Sequence, residues 1–419
     1  MNKIIILLFV FLSFVSFSQN ITNSTDTNSV LNREYILEKD NPIVARLDSL
    51  IALHIRIGTN FNDSIYNKLD SIPQFHDSII KQRLTLLDNN TPFEFNYNSI
   101  SKSYINMYLK RRKSISIFLA RKELYFPIFE ELLLKYKLPI ELKYLPIVES
   151  ALKPTAESWA GAAGLWQFMY NTGKIYGLEA DSYLDYRKDP YKSTEAACKH
   201  LSKLYKVYEN WELVLAAYNA GSGNVNKAIR RSGGKKNYWE IYKYLPKETR
   251  GYVPAFIGVN YAMNYASEHN IYSQKPLVTY SQIDTIHVSR RVDLKLVAKF
   301  FNLSLEHLTN INPTYSHAII PDKKENQCLY IPKEKIGLFY ANEIAIYEGS
   351  EELKKVYKIT ENSYIKGKGR KIRYKVKKGD YLGKIARKHK VKVKQIKKWN
   401  NLRGTNLKIG QRLTIYVKK

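Results

Sequence analysis

A mainly α-helical fold, one helical domain followed by small α+β modules of strand-helix-helix-strand type, is predicted by three observations. From Ser99 onward apolar residues recur at helical spacing, and no alternating strand pattern interrupts them before Ile271. Beyond Ile271 the texture changes to strand, helix, helix, strand over residues 286–332, and the same order returns over residues 374–416. At 419 residues the chain is also too long for one ordinary domain.

The chain begins with a segment that is not part of the fold. Lys3 precedes a 14-residue apolar run, Ile4 to Phe17, that ends near Ser16 and Ser18. This pattern is a secretory signal peptide over residues 1–18, too short for a comfortable membrane span, and it predicts export to the periplasm or cell envelope. No Cys lies near the cleavage region to carry a lipid. Residues 19–91 are rich in Asn, Ser and Asp and read as a polar leader passing into short helices such as the one carrying Ile43, Leu47, Leu50 and Ile51.

In the helical domain, Tyr104, Met107 and Tyr108, then Leu124, Ile128, Phe129, Leu132 and Leu133, form core stripes. Leu138 and Pro139 break the run, and Glu141 opens a short helix that delivers Glu149 before Pro154 ends it. Asp189 and Pro190 mark the start of a helix with Ala197, Leu201, Leu204 and Tyr208 on one face. The next helix runs from about Trp211 through Tyr218 to a stop at Gly221.

The stretch LPIVESALKPTAESWAGAAGLWQFM, residues 145–169, carries the chemistry. A lone carboxyl, Glu149, stands among Leu145, Pro146, Ile147, Val148 and Ala151. Apolar surroundings disfavour an anion, which suits a general acid. The Gly/Ala run from Ala160 to Gly164 permits close backbone approach to a bulky ligand, and Gln167 offers a donor and an acceptor. The plainer reading is a half-exposed helix glutamate beside tight helix packing.

Two further stretches, LAAYNAGSGNV (215–225) and ETRGYVPAF (248–256), follow in the order and spacing of the lytic transglycosylases. Over residues 92–272 the chain most resembles the membrane-bound murein transglycosylase D subgroup, which implies a lysozyme-like SLT catalytic domain. The same resemblance implies one carboxyl doing the work. Glu149 would protonate the oxygen between N-acetylmuramic acid (MurNAc) and N-acetylglucosamine (GlcNAc). It would then take the proton of the muramoyl C6 hydroxyl, whose attack on C1 leaves a 1,6-anhydro end. Ser150, the Gly164 backbone and Gln167 would hold substrate near the cleaved bond, Tyr218 and Asn219 would line the cleft, and Tyr252 would tune the acid. Trp166 reads as core. No cofactor and no metal are expected.

Residues 372–418 resemble the LysM glycan-binding module, and residues 283–334 a degenerate copy with Arg291 and Val292 where the later copy has Gly379 and Asp380. The resemblance places sugar contacts at Gly379, Asp380, Tyr381, Leu382 and the Leu407 to Ile409 segment, with Tyr381 standing where Thr or Ser is usual. Residues 335–371, ending in KGKGRK, read as a flexible linker.

The net charge of +29 predicts attraction to polyanions. Residues 366–419 hold 21 Lys and Arg against Asp380 alone. With no nucleic-acid motif and an export signal, the expected partners are peptidoglycan strands and anionic envelope surfaces rather than nucleic acid, for a monomer. Cys198 and Cys328 read as unpaired. Two rival functions stay open: a muramidase of the same fold using a second acid among Glu157, Asp181, Asp185 and Asp189, and a non-catalytic wall-binding protein.

Overall fold

The computed structural model describes residues 37, 41–55, 72–323, 325–365, 370–402 and 404–417. The signal peptide expected over residues 1–18 and most of the leader lie outside them. Two leader helices lie within them, α1 (Pro42–Ile55) and α2 (Asp77–Asp88), and both bury apolar residues in the main core: Ile43, Val44 and Leu47 from the first, Ile80 and Leu84 from the second. They are thus part of the helical body.

That body continues with α3 (Ser99–Lys110), opened by a capping box between Asn98 and Ser101, and α4 (Arg112–Lys135). A 3₁₀ turn (Ile140–Tyr144) leads into α5 (Leu145–Ser150), so the short helix bearing Glu149 starts later than its sequence implied. It also stops earlier than Pro154, because Ala151 and Leu152 take left-handed conformations at φ +52° and +54°. Then come α6 (Tyr170–Ile175), α7 (Pro190–Tyr208), α8 (Trp211–Ala220), α9 (Ser222–Arg231), α10 (Tyr238–Ile241), α11 (Lys247–Arg250) and α12 (Tyr252–Asn264). The start of α7 follows the sequence reading: the Asp189 side chain accepts from the Lys192 amide and Pro190 occupies the first turn. Gly221, at φ +80°, stops α8.

Helix α12 lies against α3 because two glycines leave room for it. A Cβ on Gly258 would come within 2.9 Å of the Tyr104 backbone, and one on Gly251 within 2.2 Å of the Tyr104 hydroxyl. Gly251 directly precedes Tyr252, so this packing places the Tyr252 backbone.

The first small module pairs β1 (Ile283–Val288) antiparallel with β4 (Gln327–Pro332), with Ile286 opposite Leu329. Between them lie β2 (Val292–Asp293), α13 (Leu294–Phe301), α14 (Leu305–Ile311) and β3 (Ile319–Ile320), with β2 paired to β3. The flexible linker expected over residues 335–371 is corrected over residues 336–365; residues 366–369 lie outside the described residues. Residues Ile336–Ala341 (α15) and Glu343–Ile365 (α16) are helical, and Phe339, Ile346 and Tyr347 are buried in the main core. Ser350, fully buried on α16, accepts from the Asp293 amide, which ties the helix to β2. The charged composition of the segment reflects the outer face of a packed helix. The second module pairs β5 (Arg370–Lys375) with β6 (Arg412–Val417) around α17 (Leu382–Lys388) and α18 (Val393–Trp399). Its interior is separate: Val376, Leu382, Ile385, Ala386, Ile396, Leu413 and Ile415.

Cys198 and Cys328 are both free thiols. Among the described residues, no helix is long and apolar enough to cross a membrane, and no His, Cys, Asp and Glu group has the makings of a metal site.

Candidate active site

Glu149 is 4% exposed at the end of α5. The helix is cut off immediately after it by the two left-handed residues, a strained arrangement for side chains with a Cβ, and one that concentrates at functional sites. The half-buried Arg121 guanidinium donates to the Ala151 carbonyl at 2.6 Å and steadies this end. Both carboxylate oxygens of Glu149 are engaged. The Tyr252 hydroxyl donates to Oε1. Arg46, on α1, donates to Oε2 at 2.6 Å and to the Glu149 carbonyl at 2.5 Å. Tyr252 is fully buried, and burial together with the neighbouring carboxylate pushes its hydroxyl well above the ordinary tyrosine range, so it remains a proton-bearing donor. Tyr218 lies in the same electrostatic field; its hydroxyl, also pushed far up by burial, donates to the Trp166 carbonyl at 2.8 Å.

The sequence suggested an acid in purely apolar surroundings, and Arg46 corrects that. A buried carboxylate is costly unless a cation and hydrogen bonds compensate it. The cation comes from a helix about a hundred residues upstream, in a segment whose composition carried no chemical signal. Arg46 also feels Glu248, the first residue of the third motif, which the sequence reading left unassigned.

Several predicted substrate contacts are engaged within the protein. Ser150 is fully buried, and its hydroxyl lies 2.9 Å from both the Pro146 and the Leu165 carbonyls, tying α5 to the Gly/Ala segment. The Gly164 amide donates to the Ala156 carbonyl at 2.9 Å. Gln167, at φ +49°, donates its side-chain amide to the Gly164 carbonyl at 2.8 Å and to the Ala156 carbonyl at 3.2 Å. Asn219 accepts from the Thr249 hydroxyl at 2.9 Å, which pins α8 to α11. These bonds tie all four residues into the protein. Trp166 is core, as expected: fully buried, edge-to-face on Phe129, its indole donating to Thr194 at 2.8 Å.

The four alternative acids have other partners. Glu157 faces Lys188 and Lys384, Asp181 pairs with Lys323, Asp185 with Arg187, and Asp189 caps α7. One strongly perturbed acid escaped the sequence reading altogether. Glu212 is buried beside Trp239 and Asn96, and desolvation pushes its carboxyl up to about 8. Its neighbours are not those of Glu149.

The transglycosylase SLT domain model matches residues 127–241, the LysM domain model residues 374–415, and the LysM-like domain of lytic transglycosylase MltD residues 282–348. The chain is a transglycosylase SLT-domain protein with LysM modules. Arg46 and Tyr252, the two residues that grip Glu149, both fall outside the matched SLT span. Membrane-bound lytic murein transglycosylase D of Escherichia coli K12 is 32% identical over 288 residues, covering 67% of this chain and 61% of that protein. The chain therefore spans about three fifths of that relative's length. A putative soluble lytic murein transglycosylase of Haemophilus influenzae is 32% identical over 139 residues, 31% of this chain and 23% of that one. The 70 kDa soluble lytic transglycosylase of Escherichia coli, a solved structure, is 19% identical with a TM-score of 0.31, covering 57% of this chain and 44% of that one.

In the second LysM module, the expected sugar-contact residues divide. Tyr381 and Leu382 are buried, with Tyr381 against the SLT domain, whereas Ile409 is 72% exposed. The Tyr381 hydroxyl accepts from Arg187 at 2.6 Å and from Arg387, and donates to Asp185 at 3.2 Å. The Asp380 carboxylate instead accepts within its own module, from the Tyr374 hydroxyl at 2.7 Å and the Lys377 amide at 2.8 Å.

Proposed function

We propose that the chain is a peptidoglycan lytic transglycosylase, cleaving the MurNAc-β-1,4-GlcNAc bond and leaving 1,6-anhydroMurNAc ends. The observation that carries this reading is a buried carboxyl, Glu149, that accepts from the buried Tyr252 hydroxyl at the end of its short helix, while the other candidate acids named from sequence are engaged elsewhere. In the protonated form Glu149 gives its proton to the leaving glycosidic oxygen. As carboxylate it takes the proton of the C6 hydroxyl, whose oxygen closes on C1 within the same sugar. The nucleophile is intramolecular, so no second base is required. Tyr252 holds one carboxyl oxygen in place through both steps.

Export through the N-terminal segment puts the protein in the cell envelope, where glycan strands are the substrate and the basic surface meets anionic envelope polymers. We propose that it works as a monomer there, without a metal or cofactor and without a role in nucleic-acid binding.

A glycan reaches Glu149 only where α1 yields, because Arg46 occupies Oε2 and the carboxyl has almost no exposed surface. Arg46→Ala is therefore expected to raise product release several-fold; a loss of activity would make Arg46 part of the working site instead.

Mass spectrometry of muropeptides released by the full chain, beside Glu149→Gln, tests the reaction. Products lighter than reducing-end muropeptides by one water, and none from the variant, are expected. Reducing ends would favour a hydrolase, for which Glu248, in the field of Arg46, is the carboxylate to replace next.

A further inference from the structure

The C-terminal LysM module is seated on the SLT domain by the same turn from which a glycan-reading module would contact sugar. The contact is tight. Gly379, at φ +81°, lies so close to the SLT domain that a Cβ there would come within 1.5 Å of the Ala160 carbonyl oxygen. Gly161, at φ +92°, would place its Cβ within 2.5 Å of the Gly379 carbonyl oxygen. Two glycines back onto each other, one from each unit, and only glycine fits at either position. The Gly/Ala run, read from sequence as room for a ligand, here makes room for the module.

Beside them the Tyr381 ring stacks on Tyr170 at 4.1 Å, nearly parallel. Its hydroxyl enters a buried cluster of Asp185, Arg187 and Arg387, the first two almost without exposure. Further along, Arg387 donates to the Asp181 carbonyl at 2.9 Å and the Val393 amide to the Ser182 hydroxyl at 3.0 Å.

Tyr381 is also a poor choice for its local position. It is the N-cap of α17 and its side chain makes no capping bond, at a site where Ser, Thr, Asp or Asn would satisfy an orphan amide. A residue that breaks a local rule is expected to be compensated elsewhere. The compensation here lies in another domain.

We propose that docking of this module on the SLT domain and glycan binding by its Gly379–Leu382 turn exclude one another, so that the module alternates between a seated brace and a released wall anchor. The seated state holds the segments 157–164 and 181–187, the first of which leads directly to Leu165, whose carbonyl accepts from the Ser150 hydroxyl next to Glu149. The released state frees the turn for sugar. This rests on the proposed reading of the module as glycan-binding; the seating itself does not.

The full-length chain tests it by hydrogen exchange and by titration with a GlcNAc hexamer. Tyr381→Thr restores a capping hydroxyl and keeps the module folded. Arg387→Glu opposes Asp185 from the module side and serves as the second variant. Both are expected to raise exchange in 157–164, 181–187 and the Val393 region, and to bind the hexamer about tenfold more tightly than the parent chain. Hexamer added to the parent chain is expected to raise exchange at 157–164, since coupling between the two events is reciprocal. Unchanged exchange in both variants overturns the proposal by showing that these contacts do not hold the module. Raised exchange with hexamer affinity unchanged overturns the exclusion, and absence of hexamer binding in every form does so by removing the glycan reading itself.

Discussion

The two LysM-type modules share a strand-helix-helix-strand order but join the protein by different physics. The first shares one continuous apolar core with the SLT domain: Val292, Leu294, Phe301, Leu329 and Ile331 belong to the same cluster as Leu145 and Trp166. Its polar seams are internal, such as the Asp185 amide on the Thr314 carbonyl and the Tyr186 hydroxyl on Gln327. The second has its own core and meets the SLT domain through two glycines, one stacked ring and a charged cluster. Burial of apolar surface holds the first in place and cannot be undone without unfolding. The second is held by contacts that can open while both sides stay folded.

The largest expected effect that separates them is on cooperativity. Leu329→Ala, at a fully buried site in the first module, is expected to cost about 2–5 kcal/mol in the main calorimetric transition. Ile385→Ala, equally buried in the second, is expected to cost a similar amount only in a separate, smaller transition. One merged transition in both variants would erase the distinction.

Gly379→Ala is expected to unseat the second module without unfolding either partner, because the clash lies between the two and the added methyl disturbs a turn rather than a core. Small-angle scattering would register an extended particle, and melting of the SLT domain would change by less than about 1 kcal/mol. An unchanged particle would mean that the turn shifts to accept the methyl.

Acid separates the regions more gently. In the SLT body, burial holds His200 and His269 down at about 4. A depressed histidine contributes stability that is full above its unfolded value near 6.5 and is lost as pH falls from there toward about 4. At the seat of the second module, Asp185 faces Arg187, Arg387, Lys188 and the Tyr381 hydroxyl, and these cations hold its carboxyl below the ordinary range despite burial. Its contribution is full above the ordinary carboxylate value and is lost only below it. Acidification from pH 7 to 5 is therefore expected to lower SLT-domain melting while exchange at 181–187 stays slow, with His200→Gln weakening the pH dependence. Undocking already at pH 6 would contradict the assignment of Asp185 as the anchor.

Local rules made the helical body legible: the Asp189–Pro190 start, the Gly221 stop and the buried fate of Trp166 all follow from neighbouring residues. Glu149 could be found because an acid in an apolar run is conspicuous. Arg46 could not, since its partner is about a hundred residues away and its own helix looks like any amphipathic segment. The α16 helix was hidden by its charge, which sits on the outer face while Ile346, Tyr347 and Ser350 face inward. Ser150, Gly164 and Gln167 were legible as important positions, but their bonds to the carbonyls of Leu165 and Ala156 were not, because these depend on a chain path that spacing does not encode.

Since the seat of the second module lies on the same polypeptide, its occupancy does not vary with protein concentration. A short tether places such a module at an effective local concentration of the order of millimolar, so an interface too weak to detect between separate molecules would still be mostly closed. On the proposed exclusion, sugar would have to compete against that concentration, which saturating hexamer or the dense glycan of a cell wall can do.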